Sequence, residues 1–341
     1  MLAKKRIFIC FLVFIGIVAS LVIAETVLRL FRIVPMRVEN ESIFPGKLGD
    51  YKPSQELLSD YILPHNIKIN SLGLRGNEIS AVKPNGIFRI LILGDSYAYG
   101  ARVSNNQTFP FLLQAMLNRA KAGGDKEIEV INAAHSAYST REEYEYLLER
   151  GVSLNPDMVI LAWFPNDIRE LSREYSWRDL LKSHYKYEPW KSYIRSLAIF
   201  NSLRIYITYA FIKLKFGPYI PKEEVNIFDS YDTVFENKLW GNCFDYLLKT
   251  KDFCDNKKIY FLLVALVDPE QIKRKSNYPQ QKLKVFAEDN GVEFIDMSKD
   301  LLEGADNLSY YLLPEDCHFS AKGNTAVAGK IAGFLKTRVI R

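Results

Sequence analysis

The segment that most constrains the fold runs from Arg89 to Ser96 and reads RILILGDS. Its residues Ile90 to Leu93 are apolar without alternation, which is typical of a parallel strand covered by helices on both faces. The apolar run stops at Gly94, a residue that permits a tight turn. The segment therefore predicts a strand that presents the Ser96 hydroxyl at the edge of a sheet, where the hydroxyl could act as a nucleophile.

A serine hydroxyl is a weak nucleophile until a base removes its proton, so Ser96 needs a partner. A Gly-Asp-Ser triplet is also common in ordinary loops, where the aspartate caps a turn. The search for a base is short because the chain has four histidines. They are His65, His135, His184 and His318.

His318 is the strongest candidate base. It directly precedes an Ala-rich stretch that we expect to be helical to about residue 337. A loop at the entrance of the last helix of an α/β fold can bring a base back to the carboxyl edge of the sheet. Asp316 and Glu315 lie two and three residues before His318, and either carboxylate could orient the imidazole. The alternative interpretation is a surface histidine beside acidic neighbours.

Four blocks and one run upstream of them together resemble a known family. The blocks are Gly94-Asp95-Ser96, Asn132 to Thr140, Asn166-Asp167 and the Asp316/His318 loop, and the upstream run is Asn70 to Gly76. In order and approximate spacing the blocks are similar to the motifs of the SGNH, or GDSL-type, hydrolase superfamily, and the resemblance covers roughly residues 66–167 and 257–337. The upstream run also resembles membrane-tethered bacterial members.

The resemblance implies roles for single residues. Ser96 matches the nucleophile and its backbone N–H the first oxyanion donor, Asn166 matches a side-chain amide donor to the same oxygen, and His318 matches the base. The family's usual Asp-x-x-His spacing puts Glu315 in the place of the acid, whereas the Asp-x-His spacing of some members puts Asp316 there. We favour Asp316.

The second block departs from the family at Ala134, where glycine is usual. Only the backbone N–H is needed to bind an oxyanion, so Ala134 can serve as the remaining donor if its φ is negative.

His135 in the same block could line a substrate pocket, but we favour a loop histidine satisfied by neighbouring backbone. Asn166 could be a helix cap, but it follows a buried-strand pattern at Met158 to Trp163, which favours a functional position.

The amino-terminal segment predicts a membrane helix. Lys4, Lys5 and Arg6 precede the uncharged stretch from Ile7 to Ala24, which is just long enough to span a bilayer core. Basic residues before the stretch place the amino terminus in the cytoplasm and the rest of the chain outside it. A cleaved signal peptide is the alternative, since residues 22–24 suit cleavage. We favour the anchor because apolar residues continue past Glu25.

Strand and helix patterns alternate through the rest of the chain. The alternation predicts a three-layer α/β/α sandwich with a parallel five-stranded sheet, the flavodoxin-like fold that the resemblance also implies. Strands are expected near 88–94, 127–132, 157–164, 258–266 and 292–296, and helices near 107–121, 140–150, 236–253 and 279–290.

The chain divides into three parts in this interpretation: an anchor and flank at 1–35, a lead-in at 36–87, and a hydrolase domain at 88–341. The domain includes a helical, aromatic-rich insertion at about 168–235. Because the insertion follows Asn166, it could form a lid or one wall of the substrate cleft. An aromatic layer packed on the core, or a segment lying on the membrane surface, remains an equal alternative.

Composition excludes several function classes. The net charge of +5 is modest, and no basic cluster carries interleaved aromatic residues, so we expect no nucleic-acid partner. Neither metal-ligand spacing nor a Gly-rich phosphate loop stands out, which predicts chemistry without a metal or cofactor. The four cysteines do not form a disulfide scaffold in a chain of this length.

These observations and the resemblance together predict a membrane-anchored, extracytoplasmic serine esterase. Its expected substrate is an O-acyl ester, on an envelope glycan or polysaccharide. One alternative is a polysaccharide O-acetyltransferase that uses the same site. Another is an inactive relative that binds glycan or acts as a scaffold, with Ala134 as the warning sign. The sequence predicts no oligomeric state.

Overall fold

The computed structural model describes most of the predicted domain. It covers residues 2–31, 53–58, 66–171, 197–200, 202–203, 207, 234–302, 307–313 and 316–338. Glu315, His65, His184 and most of the aromatic insertion lie outside the described residues.

A five-stranded parallel sheet forms the centre of the molecule. Its strands are β3 (Ile87–Gly94), β4 (Glu127–Asn132), β5 (Met158–Trp163), β6 (Tyr260–Ala265) and β7 (Glu293–Asp296), and their order is β4-β3-β5-β6-β7. All four pairings are parallel. The sheet prediction is therefore confirmed.

Helices cover both faces of this sheet, because its apolar strands point successive side chains to opposite sides. Ile90 and Ile92 belong to a core cluster with residues of helices α3 (Phe109–Arg119) and α10 (Ala321–Arg338). Leu91 and Leu93 belong to a second cluster, with residues of α4 (Thr140–Glu149), α6 (Val234–Lys257) and α8 (Tyr278–Asn290). The three-layer prediction is confirmed.

The shorter helices connect these layers. They are α2 (Ser96–Tyr99), α5 (Asn166–Leu171), α7 (Pro269–Arg274) and α9 (Ser298–Leu301). Helix α4 begins with a capping box in which the Ser139 N–H donates to Glu142 at 3.1 Å. Helix α6 extends beyond the predicted 236–253 at both ends, and Cys254 in its last turns is fully buried against the second cluster.

One charged residue sits inside the apolar strand β3. Arg89 is fully buried, and its guanidinium contacts Glu129 at 2.5 Å and the backbone oxygens of Leu154 and Ser80 at 2.6 and 2.9 Å. A buried cation is tolerated only when its donors are satisfied, and these contacts provide that. Arg89 therefore fits the strand without disturbing the apolar residues that follow it.

The lead-in segment contains a structure that the sequence pattern did not predict. Its strands β1 (Gln55–Leu58) and β2 (Asn66–Ile69) pair in antiparallel orientation. Ile67 and Ile69 are buried in the first core cluster, and Arg75 forms an isolated bridge with Asn132 at the end of β4. The end of the lead-in is thus part of the packed core.

Helix α1 (Leu2–Leu30) is the one helix among the described residues that is long and apolar enough to cross a membrane. Large apolar side chains such as Phe8 and Val22 are exposed along it. A helix of this length and composition at the amino terminus suits a membrane anchor or a signal sequence.

Candidate active site

The candidate site begins where β3 ends. Gly94 has a φ of +155°, and a Cβ at this position would lie 2.5 Å from the Ala98 Cβ and 3.0 Å from the Ala162 backbone oxygen. Glycine is therefore required at this turn. The Asp95 side chain then caps α2 by accepting the Tyr97 N–H at 2.8 Å. Ser96, the first residue of α2, consequently lies at the carboxyl edge of the sheet.

Ser96, His318 and Asp316 form one hydrogen-bonded chain. The Ser96 Oγ lies 2.8 Å from Nε2 of His318, although the two residues are 222 positions apart in sequence. Nδ1 of His318 lies 2.5 Å from Oδ1 of Asp316, which also accepts the His318 backbone N–H at 2.8 Å. An imidazole bonded to a carboxylate at one nitrogen and to a hydroxyl at the other has the geometry of a general base.

The Asp316 carboxylate is held in its ionised form. Burial favours its neutral form, but the hydrogen bond and charge of His318 and the charge of Arg102 outweigh burial and hold the pKa of Asp316 below its ordinary value. Arg102 Nε lies 2.9 Å from Oδ2 of Asp316. A carboxylate that stays ionised can orient the imidazole and stabilise the imidazolium.

Tyr97 connects the serine turn to the histidine loop. Its ring stacks on Phe164 with centroids 3.6 Å apart and lies 4.8 Å from the ring of His318. Its hydroxyl donates to the backbone oxygen of Cys317 at 2.8 Å. Sequence reasoning missed Tyr97 and Arg102. The only available signal for Tyr97 was its place beside Ser96, and no sequence signal pointed to Arg102.

The predicted oxyanion residues lie at the same edge of the sheet. Ala134 follows β4, its φ is negative, and its N–H donates to Oδ1 of Asn132 at 3.2 Å. Asn166 is the first residue of α5, and its side chain reaches the Asp95 carboxyl. Donation by Ala134 or Asn166 to an oxyanion stays a prediction. His135 is buried and stacks on Tyr138, and its Nδ1 lies 3.4 Å from the backbone oxygen of Ser136.

Three more carboxyl groups lie beneath the site. Asp95, Glu143 and Asp167 are fully buried. Within the described part of the chain, neither oxygen of Glu143 or Asp167 has a hydrogen-bond partner. Burial, and then the charges of neighbouring carboxylates, raise the pKa values of Glu143 and Asp167 well above the ordinary range. Burial raises the pKa of Asp95 to about 6, against the lowering effect of the Tyr97 N–H. We call these three residues the buried acid cluster.

Asp316, Cys317 and His318 also group potential metal ligands, although the sequence spacing indicated no metal site. One ligand atom from each lies within 4.8 Å of the others. The Cys317 residue is exposed. Because Asp316 and His318 already form the hydrogen-bonded chain to Ser96, a metal ion held there would compete with that chain.

No protein-family model and no curated protein matches the chain. Among solved structures, it is similar to a GDSL-like lipase from Bacteroides thetaiotaomicron (11% identity, 74% of this chain and 89% of that chain covered, TM-score 0.40). It is also similar to the lipase/acylhydrolase from Enterococcus faecalis (13% identity, 74% of this chain and 96% of that chain covered, TM-score 0.44).

A further similar structure is that of the acetyl xylan esterase AlAXEase (17% identity, 72% of this chain and 99% of that chain covered, TM-score 0.42). These three structures are those of a GDSL-like lipase, a lipase/acylhydrolase and an esterase.

Proposed function

We propose that the protein is a membrane-anchored serine esterase that hydrolyses O-acyl esters outside the cytoplasm. The observation that carries this proposal is the 2.8 Å contact between the Ser96 hydroxyl and His318, whose other ring nitrogen contacts Asp316. Two distant parts of the chain meet there in the arrangement that activates a serine.

In the proposed reaction, Ser96 Oγ attacks the ester carbonyl while Nε2 of His318 accepts the hydroxyl proton. The carbonyl π electrons move to its oxygen, and this oxyanion is bound by the Ser96 and Ala134 N–H groups and the Asn166 amide. The C–O bond then breaks, and the alcohol leaves with the proton from His318. Water attacks the acyl-serine with His318 again as base, which releases the acid and restores Ser96. Asp316 stays ionised throughout.

The location outside the cytoplasm rests on helix α1 and on the basic residues in its first two turns, ahead of its apolar stretch. The Glu25 carboxylate near the end of α1 accepts the backbone N–H groups of Ala198 and Ile199 at 2.9 and 3.0 Å. The end of this helix is thus joined to a later part of the chain. The anchored location in turn favours an acylated envelope glycan or polysaccharide as substrate.

Labelling of the full-length protein with a fluorophosphonate probe tests the nucleophile. We expect the wild type and Ser153→Ala, which changes an exposed serine away from the site, to be labelled equally. Ser96→Ala and His318→Ala should abolish labelling, because one removes the attacked oxygen and the other the base. Labelling that persists in Ser96→Ala would overturn the proposal.

Turnover of p-nitrophenyl acetate then distinguishes hydrolysis from transfer. Hydrolysis by the wild type without added acceptor supports the esterase. Turnover that requires added polysaccharide supports the O-acetyltransferase instead. If wild type and Ser96→Ala hydrolyse the ester equally slowly and bind polysaccharide equally well, the protein is an inactive binding relative.

A further inference from the structure

Arg102 contacts the Asp316 carboxylate oxygen that His318 does not contact. Its Nε lies 2.9 Å from Oδ2 of Asp316, whereas the His318 ring and backbone contact Oδ1. The Arg102 side chain is 21% exposed and that of Asp316 11%, so water screens this ion pair only in part. The carboxylate is therefore restrained through both of its oxygens.

The backbone at Arg102 is unusual for this residue type. Its φ is +68°, in the left-handed region that disfavours residues with a Cβ. Such a conformation persists only when surrounding contacts enforce it. The neighbouring Gly100 also has a positive φ, and a Cβ there would meet the Thr108 side chain at 2.5 Å. The conformation of the turn that carries Arg102 therefore depends on contacts with other parts of the chain.

Arg75 supplies much of that constraint. Its guanidinium donates to the backbone oxygens of Tyr99, Gly100 and Val103 at 3.1, 2.8 and 2.5 Å. Its Nε donates to Oδ1 of Asn105 at 3.0 Å. Arg75 is only 4% exposed, and three carbonyls that bracket Arg102 converge on this one side chain. Arg75 belongs to the Asn70 to Gly76 run, which the proposed function left without a role.

We propose that Arg102 is a positioning residue that fixes the Asp316 carboxylate against His318, and that Arg75 sets the turn from which Arg102 acts. This inference rests on the proposed function, because it assigns the two arginines to the same Ser96 site. It joins the lead-in segment to the site through a continuous series of contacts: Arg75 to the turn, Arg102 to Asp316, Asp316 to His318, and His318 to Ser96.

The physical reason is that an aspartate held by one oxygen alone can rotate away from the imidazole. Arg102 occupies the second oxygen with a charge-assisted bond, which is stronger than a neutral one. Its positive charge also offsets part of the attraction between the Asp316 carboxylate and the imidazolium. Among the described residues, other titratable groups near this pair are Tyr97, whose ring lies 4.8 Å from that of His318, Asp95, which interacts with His318, and Cys317, which interacts with Asp268.

The experiment measures kcat and KM for p-nitrophenyl acetate from pH 5 to 9 on full-length protein in detergent micelles. We expect Arg102→Gly to lower kcat about tenfold with little change in KM. Its melting temperature should stay close to that of the wild type, because glycine accepts the positive φ. The acid limb of the kcat/KM profile should move to higher pH, because His318 then faces a carboxylate without its balancing cation. Arg102→Lys should retain the wild-type limb.

Lys83→Met is the matched control. Lys83 forms a similarly half-buried ion pair with Asp157 at 2.7 Å, and Asp157 lies at the amino end of β5, away from the site. We expect Lys83→Met to leave kcat and the acid limb of the kcat/KM profile unchanged. Arg75→Lys should lower kcat in the wild-type background but much less in the Arg102→Gly background, since both changes act through the same turn.

The outcomes separate the two proposals. If the wild type shows no Ser96-dependent turnover, the proposed function fails. If the wild type turns over but Arg102→Gly has wild-type kcat, the positioning role is wrong. A loss of kcat with an unmoved acid limb, equal in the glycine and lysine variants, would also overturn it, because a merely structural residue behaves in that way.

Discussion

The carboxyl groups around Ser96 form two sets whose pKa values are shifted in opposite directions. Asp316 is partly exposed, His318 and Arg102 contact its two oxygens, and its pKa is lowered. The buried acid cluster of Asp95, Glu143 and Asp167 is fully buried, and the pKa values of its members are raised. Burial favours the neutral acid in both places. Cationic and N–H partners decide whether that effect is overcome, so only Asp316 is suited to work as an anion at every pH of interest.

The comparison predicts opposite dependences of stability on pH. Asp316 has a lowered pKa in the folded state, so its ionised form stabilises the fold, and this stabilisation is lost as the pH falls below the ordinary pKa of 3.8. The buried acids have raised pKa values in the folded state, so the free energy of unfolding decreases as the pH rises above their ordinary pKa values of 3.8 to 4.5. For Asp95 this window ends at about pH 6.

The largest effect is expected from Asp316→Asn. The amide keeps the shape but cannot stabilise the imidazolium, and it favours the wrong tautomer of His318. We expect kcat for ester hydrolysis to fall by about a thousandfold or more at pH 8. Asp255→Asn, which changes an exposed aspartate paired with Lys251, should have wild-type kcat. A loss in Asp316→Asn smaller than about tenfold would mean that another acid orients His318, and Glu315 would be tested next.

A smaller effect, on stability, is expected from Glu143→Gln. The wild type must either keep this buried acid protonated or bury a charge as the pH rises, and glutamine avoids both costs. The melting temperature of the wild type should fall between pH 5 and pH 8, and that of Glu143→Gln should fall less. At pH 8 we expect the variant to melt about 2–4 °C above the wild type.

Glu149→Gln is the control for this change, since Glu149 is an exposed glutamate on the same helix. It should follow the wild-type curve at every pH. If Glu143→Gln also does so, Glu143 is already ionised and solvated in the folded protein, and the distinction between the two sets of carboxyl groups fails for this residue.

The smallest effect is expected from Asp95→Asn. Asparagine keeps the acceptor that caps α2 but removes the negative charge that Asp95 carries above its pKa of about 6. That charge favours the imidazolium of His318, so kcat at pH 8 should fall about threefold relative to the wild type. At pH 5 the wild-type carboxyl is neutral, and the two proteins should differ little. A kcat ratio that stays constant from pH 5 to 8 would contradict the assignment.

Local sequence patterns predicted the fold well because they report burial directly. The uninterrupted apolar residues of β3 and the capping box at Ser139 are both local signals, and both elements begin within one residue of the expected place. The β1–β2 hairpin escaped prediction, because its pairing depends on Ile67 and Ile69 reaching a core built by later parts of the chain.

The candidate site was predictable only in part. Ser96, His318 and Asp316 are brought together, while Glu315 lies outside the described residues. Arg102 escaped notice because a single arginine after a turn resembles any solvated charge, and its partner Asp316 lies 214 positions away. No local pattern reports such a pair.

The sequence by itself determined the parallel sheet and the turn after Gly94, because apolar periodicity and turn residues are written along the chain. Its motifs also offered Ser96, His318 and either Asp316 or Glu315 as candidate site residues. Only the tertiary structure decided which of these carboxyl groups have raised or lowered pKa values and that Arg102 contacts Asp316. The pKa of an acid depends on its burial and on charges within a few ångströms, and folding sets both by joining segments that are distant in sequence.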